Sequence, residues 1–571
     1  MKTSKTIKLS TFVTMLLAIA VLWSSNILAM PPNPDNLEKL LQQGGSLPYY
    51  MSHQTELLTK GINTPAKRMV LAKPDGVMAP SYNVLAVLIK FSDKANSVEP
   101  IKFDTLLFVN KQGTVRDYYN QVSYGQLDLV TLNLPSSIGW STAPQTYAYY
   151  CNGQNGMGLY PQNTQKLCED IVDLINPVVN FQNYDNDLDG YVDALVLIHT
   201  GPGAEFTLSN DDIWSHQWGI SPRLKDGVYI YTYSIQPEYW NSPGDITCGV
   251  FCHEFGHILG LPDLYDTDTP RDSYGIGKWS LMSYGSWNGP TGMGNYPAEL
   301  DAWSRIYLGF VTATNVSSNI NGASIASIES GGPIYRLWSA GAVGNEYFLA
   351  ENRQKTGYDA YIPAAGLLVW HIDEAQSGND NQWYPGFTSS GHFKVALEQA
   401  DGLFELEKNL SVGNAGDPFP GSTSKTVFSA ITSPNSNSYA DDATFVGISN
   451  ISASASTMTA DFQVSLASDV RDNDGAPLPN KIYLSQNYPN PFNPYTIIKF
   501  NLPEPTFLSL DIYNILGQRI RTLGSGCYPA GAGELIWDGL DGDGRTLPSG
   551  VYFYELNTPQ EKEIRKMVMV K

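Results

Sequence analysis

The chain has 571 residues, 56 of them Asp or Glu against 35 Lys or Arg, for a formal net charge of −21. That balance excludes the electrostatic footprint of a nucleic-acid binder, and the length allows three or four domains. Five cysteines are too few for a disulfide scaffold, so the fold must rest on hydrophobic cores.

Lys2, Lys5 and Lys8, an apolar run from Phe12 to Trp23 and the small residue Ala29 read as a secretory leader cleaved near Ala29. No other stretch approaches the ~18 apolar residues that a membrane span needs, so the mature chain is expected to lack a transmembrane anchor. Residues 30–81 are punctuated by Pro, Gln and Gly, with a helical pattern near Asn36–Gln43, and read as a pro-segment. It contains no Cys, which excludes a thiolate latch; Asp35 or Asp75 is a candidate acidic one.

Tyr82–Phe91 is a near-continuous apolar run with the length of a buried strand, and it opens a unit expected over 82–312. Thr114–Gln121 reads as a helix and Gly125–Leu132 as a strand. Asn163–Asn176 spaces Leu167, Ile171, Leu174 and Ile175 for one helical face. Strands are expected again at Ala194–His199 and Val228–Ser234, an alternation that predicts an α/β upper subdomain. Cys151 with Cys168 is a candidate bridge, and Cys248 and Cys252 read as buried fillers.

Between these elements, Asp185, Asp187 and Asp189 alternate and are closed by Gly190, the pattern of an oxygen-rich Ca²⁺ loop. Position twelve of an EF-hand would be Val196, where a bidentate Glu belongs, so Asp193 is the candidate closing ligand. His216 follows as either a substrate-side residue or a satisfied structural one.

Cys252–Asp263 contains H-E-x-x-H. On a helix His253 and His257 share a face, so both reach one Zn²⁺, and Glu254 beside them is the candidate general base. Catalytic zinc takes three protein ligands and keeps a fourth position open. Gly260 permits a left-handed helix exit that brings Asp263 back as the third ligand, with Asp266 as its competitor. Trp279–Trp287 holds Met282 in a sequence that resembles a metzincin Met-turn. Pro297–Gly309 reads as a helix with Pro at its start and Gly at its stop.

Short alternating segments over 313–467 predict a β-rich domain, where His371 reads as a core histidine. A polar linker is expected at 468–480. Residues 481–571, with strands at Thr496–Phe500 and Leu508–Tyr513 and Gly-rich turns, predict an immunoglobulin-like β-sandwich.

The run from His253 to Asp266, the Met282 segment, Glu351–Gln354, Val369–Glu374 and Ala400–Gly402 together resemble the immune inhibitor A family of secreted metallopeptidases, over roughly residues 82 to 465. The resemblance implies an α/β (α+β) metzincin-like zinc peptidase domain, a pro-segment ahead of it and protein or peptide substrates. Tyr284 lies two residues after Met282, where astacin- and serralysin-like metzincins place a tyrosine near the metal; a role in holding the oxyanion and simple packing in the turn both remain open for it. The last domain resembles type IX secretion sorting domains, which implies export machinery as a partner. The other class of function is a non-catalytic, calcium-stabilised surface binding protein on the same scaffold; retention of Glu254 argues for the enzyme.

Overall fold

The computed structural model describes residues 29–59, 81–268, 270–387, 391–465, 482–503, 506–528, 531–542, 544–559 and 561–570. The leader, Asp75 and the linker at 468–480 lie outside them.

The first unit is built on a five-stranded mixed sheet: β1 (Leu85–Lys90), β2 (Ser141–Thr142), β3 (Leu195–Pro202), β4 (His216–Lys225) and β5 (Val228–Tyr239), in the spatial order β2-β1-β3-β5-β4. Only β4 runs antiparallel to its neighbour, and it forms one edge. The apolar run of β1 is covered on both faces. Ala86 and Leu88 join the core that holds helix Cys248–Ile258, whereas Leu85, Val87 and Ile89 join the core that holds helix Thr164–Ile175. The latter helix begins where its sequence predicts, with Asn163 accepting from the Lys166 N–H.

Three local expectations are corrected. The strand expected at Gly125–Leu132 shrinks to Leu129–Val130, because Tyr124 and Gly125 take left-handed conformations in a turn (φ 55° and 76°). The helix expected from Pro297 starts at Ala302; Asp301 caps it by accepting from the Ser304 N–H. Strand β4 was not foreseen, since it contains Pro222 and lacks clean alternation. An edge strand tolerates both, and its register shifts between Gly219 and Arg223.

Residues 313–465 form a five-stranded sheet in the order Val395–Leu397, Gly366–Asp373, Glu346–Arg353, Tyr335–Leu337, Thr314–Val316. A second sheet holds Gly447–Ser449, Thr457–Gln463 and Ile320–Ala326. One face of the larger sheet, with Leu349, Leu368, Trp370 and Ile372, belongs to the same hydrophobic core as helix Cys248–Ile258; the other, with Phe348, Ala350, Leu367 and Val369, packs on the three-stranded sheet. The core therefore runs uninterrupted across the boundary expected at 312.

Residues 482–570 form two antiparallel sheets of three and four strands around their own core of Leu484, Phe500, Leu510, Trp537 and Tyr554. The sequence pattern of alternating short strands is realised as two facing sheets. No helix among the described residues is long and apolar enough to cross a membrane.

Candidate active site

Helix Cys248–Ile258 is buried along its whole length. Its His253 and His257 imidazoles each turn Nδ1 to a backbone carbonyl, Leu281 O and Leu261 O, both at 2.9 Å. A nitrogen facing a carbonyl carries the proton, so each Nε2 offers a lone pair, and the two Nε2 atoms lie 3.2 Å apart. Gly260, at φ 94°, reverses the chain after the helix, and the Leu264 N–H bonds to Met282 O at 2.8 Å. This fixes an extended segment whose alternate residues, Asp263 and Tyr265, face the site.

Asp263 Oδ1 sits 3.1 Å from His253 Nε2 and 3.4 Å from His257 Nε2 and has no hydrogen bond of good geometry. Ligand bonds of about 2.0–2.1 Å at a tetrahedral centre separate neighbouring donors by about 3.3–3.4 Å. The triad therefore fits a zinc-sized cation. Burial and the neighbouring Asp263 leave His257 below the usual histidine range; Asp263, despite its burial, is held below the usual carboxylate range by His257 and His253. Neutral imidazole and ionised carboxylate are the forms that bind metal. Asp266 is turned away, accepting from the Asp268, Asp272 and Ser273 N–H groups of its own loop.

Glu254 is buried beside the triad. Its Oε2 has no partner, and burial with Asp263 nearby pushes its pKa above the usual range. Met282 lies against the helix at Gly256, where an added Cβ would come within 2.5 Å of its Sδ. Tyr284 packs edge-on against Tyr265 and Tyr274, with ring centroids at 5.8 and 5.3 Å.

The cleft is filled by the chain's own N-terminal segment. The Ala29 carbonyl oxygen lies 3.3 Å from His253 Nε2 and accepts a hydrogen bond from the Tyr265 hydroxyl. The Ala29 N–H donates to Asp263 Oδ2 and the Met30 N–H to Glu254 Oε1, both at 2.9 Å. The Trp214 and Trp287 indoles donate to Met30 O and Pro31 O, also at 2.9 Å. Ala29 bridges His216 of β4 in antiparallel fashion. The group at the triad is thus a backbone carbonyl. Asp35, the described candidate for an acidic latch, is exposed.

Residues 101–314, which contain all three triad residues and Glu254, match the family described as immune inhibitor A peptidase M6, catalytic domain. The chain carries a peptidase M6 catalytic domain. Pre-pro-metalloprotease PrtV of Vibrio cholerae is 29% identical over 281 residues, which is 39% of this chain and 29% of that protein. Immune inhibitor A of Bacillus thuringiensis subsp. alesti is 31% identical over 214 residues, 32% of this chain and 29% of that protein. The chain thus spans less than a third of the length of these curated relatives. Residues 495–561 match the FlgD Ig-like domain. The solved structure of FlgD from P. aeruginosa aligns with 13% of this chain and 58% of that chain at 24% identity, with a TM-score of 0.11 that carries no argument.

Elsewhere in the M6 domain, Asp185, Asp187 and Asp193 bring carboxylate oxygens within 4.8 Å of one another, and burial followed by the neighbouring carboxylates raises Asp193 to about 7. Asp189, the fourth calcium candidate, is outside that group and accepts from the Tyr191 N–H. His216 is a buried structural residue, with Nε2 on Thr164 Oγ1 and Nδ1 on Trp214 O. Cys151 and Cys168 are buried and unbridged, which corrects the candidate disulfide. In the β-rich part His371 is buried between Glu346 and Glu398, as a core histidine that gains carboxylate partners.

The β-rich part also supports the site. Lys278 N–H bonds to Val412 O, Trp279 Nε1 to Asp417 Oδ2 and Asn379 Nδ2 to Leu264 O, so loops from beyond residue 370 brace the Met282 turn and the Asp263 segment. Arg353, fully buried, pairs with Asp359 and Glu351 and reaches the carbonyls of Trp279 and Glu299. Only tertiary contacts expose these roles, although Glu351–Gln354 stood out in sequence.

Proposed function

We propose that the chain is a secreted zinc endopeptidase acting on proteins or peptides. His253, His257 and Asp263 would hold the Zn²⁺, which when bound polarises a carbonyl and acidifies a water. Glu254 takes a proton from the attacking water as its oxygen adds to the scissile carbonyl carbon. It then delivers that proton to the amine nitrogen as the C–N bond breaks. The observation that carries this reading is the convergence of three buried donor atoms 3.1–3.4 Å apart beside a carboxylate whose outer oxygen has no partner.

The N-terminal segment is a pro-segment on this reading, and it must leave the cleft before a substrate enters. The Asp185, Asp187 and Asp193 cluster is proposed as a structural Ca²⁺ site, and the C-terminal sandwich as an export signal read by type IX secretion machinery. Metal analysis with casein cleavage, with and without chelator, tests the central claim. Glu254→Gln is expected to retain one zinc per chain and to lose about 10²–10⁴ in turnover. Normal turnover in that variant, or wild-type protein without zinc, would refute the mechanism.

A further inference from the structure

Three buried donors line the cleft, and each has its hydrogen bond with the N-terminal segment: the Tyr265 hydroxyl with Ala29 O, the Trp214 indole with Met30 O and the Trp287 indole with Pro31 O. Tyr265, Trp214 and Trp287 are at most 1% exposed. A buried donor stripped of its acceptor costs about 1–3 kcal/mol. Once the segment departs, these three groups need carbonyl oxygens in the same places, and the backbone of a peptide substrate supplies them.

The pattern is that of an extended peptide. Successive carbonyls of a strand point to opposite sides. Ala29 O and Pro31 O, two residues apart, meet Tyr265 and Trp287, which both follow the site helix; Met30 O meets Trp214, which leads into β4 on the sheet side. Within the described segment, the Ala29–Met30 amide alone has its carbonyl oxygen beside His253 Nε2 and its N–H on Glu254. Hydrolysis needs polarisation at the carbonyl end of an amide and proton delivery at its nitrogen end. That amide has both.

We infer that the segment lies in substrate register, with Tyr265 donating to the carbonyl oxygen of the bond to be cut and Trp214 and Trp287 holding the carbonyls of the first and second residues beyond it. Tyr265 is then a catalytic residue, because the oxygen it faces gains negative charge as water adds. The two tryptophans are positioning residues. Tyr284 stands behind Tyr265 as its packing partner.

The same register describes the substrate. The residue before the cut is small, as Ala29 is. The residue after it enters the apolar core that takes up the buried Met30 side chain. Proline is accepted at the second position after the cut, since no acceptor in the cleft calls for an N–H there.

This inference rests on the zinc-peptidase reading, and the test separates the two. Hydrogen–deuterium exchange on the zinc-loaded, inactive Glu254→Gln full chain reads retention of residues 30–36 in the cleft without any turnover. Adding Tyr265→Phe, Trp214→Phe or Trp287→Phe is expected to raise deuterium uptake there, and Tyr284→Phe to leave it unchanged. In the Glu254-intact secreted chain, Tyr265→Phe should lower kcat by about 10²–10³-fold with KM and zinc content held. Trp214→Phe and Trp287→Phe should raise KM and leave kcat within a few-fold. Cut sites in a mixed peptide library should show a small residue before the cut and a Met-like apolar one after it. If the wild type binds zinc and cuts peptides but Tyr265→Phe keeps its kcat, or Tyr284→Phe is the variant that loses it, the inference is overturned and the peptidase reading stands. If the wild type neither binds zinc nor cuts, the peptidase reading itself fails.

Discussion

The two β-rich regions that follow the M6 domain relate to it in opposite ways. Residues 313–465 share its hydrophobic core, and their loops bond to the Met282 turn and the Asp263 segment; residues 482–570 close around a core of their own. Similar strand patterns therefore serve different ends. One region is part of the machinery that holds the triad, and the other is an independently packed module. Strand content does not reveal which is which; the destination of the outward-facing apolar residues does. Leu349, Leu368 and Trp370 point into the site core, whereas Trp537 and Tyr554 point only at the opposite sheet of the sandwich.

The largest effect should come from removing either region outright. A chain ending at residue 312 uncovers one side of the site core and is expected to lose cooperative unfolding and zinc binding together. A chain ending at Val470 should keep both. Calorimetry with metal analysis reads the contrast, and a folded, zinc-bound 1–312 chain would dissolve it.

Next in size are two point changes, one on each side of the comparison. Arg353→Met leaves Asp359 and Glu351 buried without their cation, an expected loss of about 3–5 kcal/mol. It also removes the donors to Trp279 O and Glu299 O, so zinc affinity should fall with Tm. Trp537→Ala empties the centre of the sandwich at a similar cost of about 3–5 kcal/mol. Its effect should be confined to the sandwich's own transition, with peptidase activity unchanged. Coupled loss of activity in the Trp537 variant would show that the module is not independent.

A smaller effect is expected at the contact between helix and Met-turn. Gly256→Ala drives a methyl toward Met282 Sδ, and the flexible thioether can yield, so overpacking of about 1–3 kcal/mol is expected. Tm should drop and kcat should fall with it as the triad's floor shifts.

The smallest effect is a pH dependence in the β-rich part. Burial opposes charge on His371, but hydrogen bonds from Glu346 and Glu398 raise its pKa above the ordinary value. A raised histidine contributes stability that is full below its unfolded pKa of about 6.5 and is lost as pH rises through the folded value. Tm should decline between neutral and alkaline pH, and His371→Gln should flatten that decline; an unchanged slope would remove the imidazolium from the account.

Much of the site was legible because its chemistry is local. Four residues of helix separate His253 from His257, and Gly260 announces the turn that returns Asp263, so spacing and backbone freedom sufficed to bring those residues together. The buried strand at Leu85–Lys90 and the capped helix at Thr164–Ile175 were legible for the same reason: period and cap are properties of neighbouring residues. Tyr265 was missed although its signal was present, since a residue two places after Asp263 in an extended segment shares its face. Strand β4 was missed because an edge strand needs neither alternation nor freedom from proline. The occupant of the cleft, the bracing of the Met282 turn by loops from 379 to 417, and the separation of two β-rich regions into support and module depend on contacts across hundreds of residues. Sequence by itself determined the kind of chemistry, because metal-ligand spacing is written within one turn and one loop. The tertiary structure alone decided which phenol meets the carbonyl and which β region holds the site, because hydrogen bonds and buried faces are fixed by what the folded chain places opposite them.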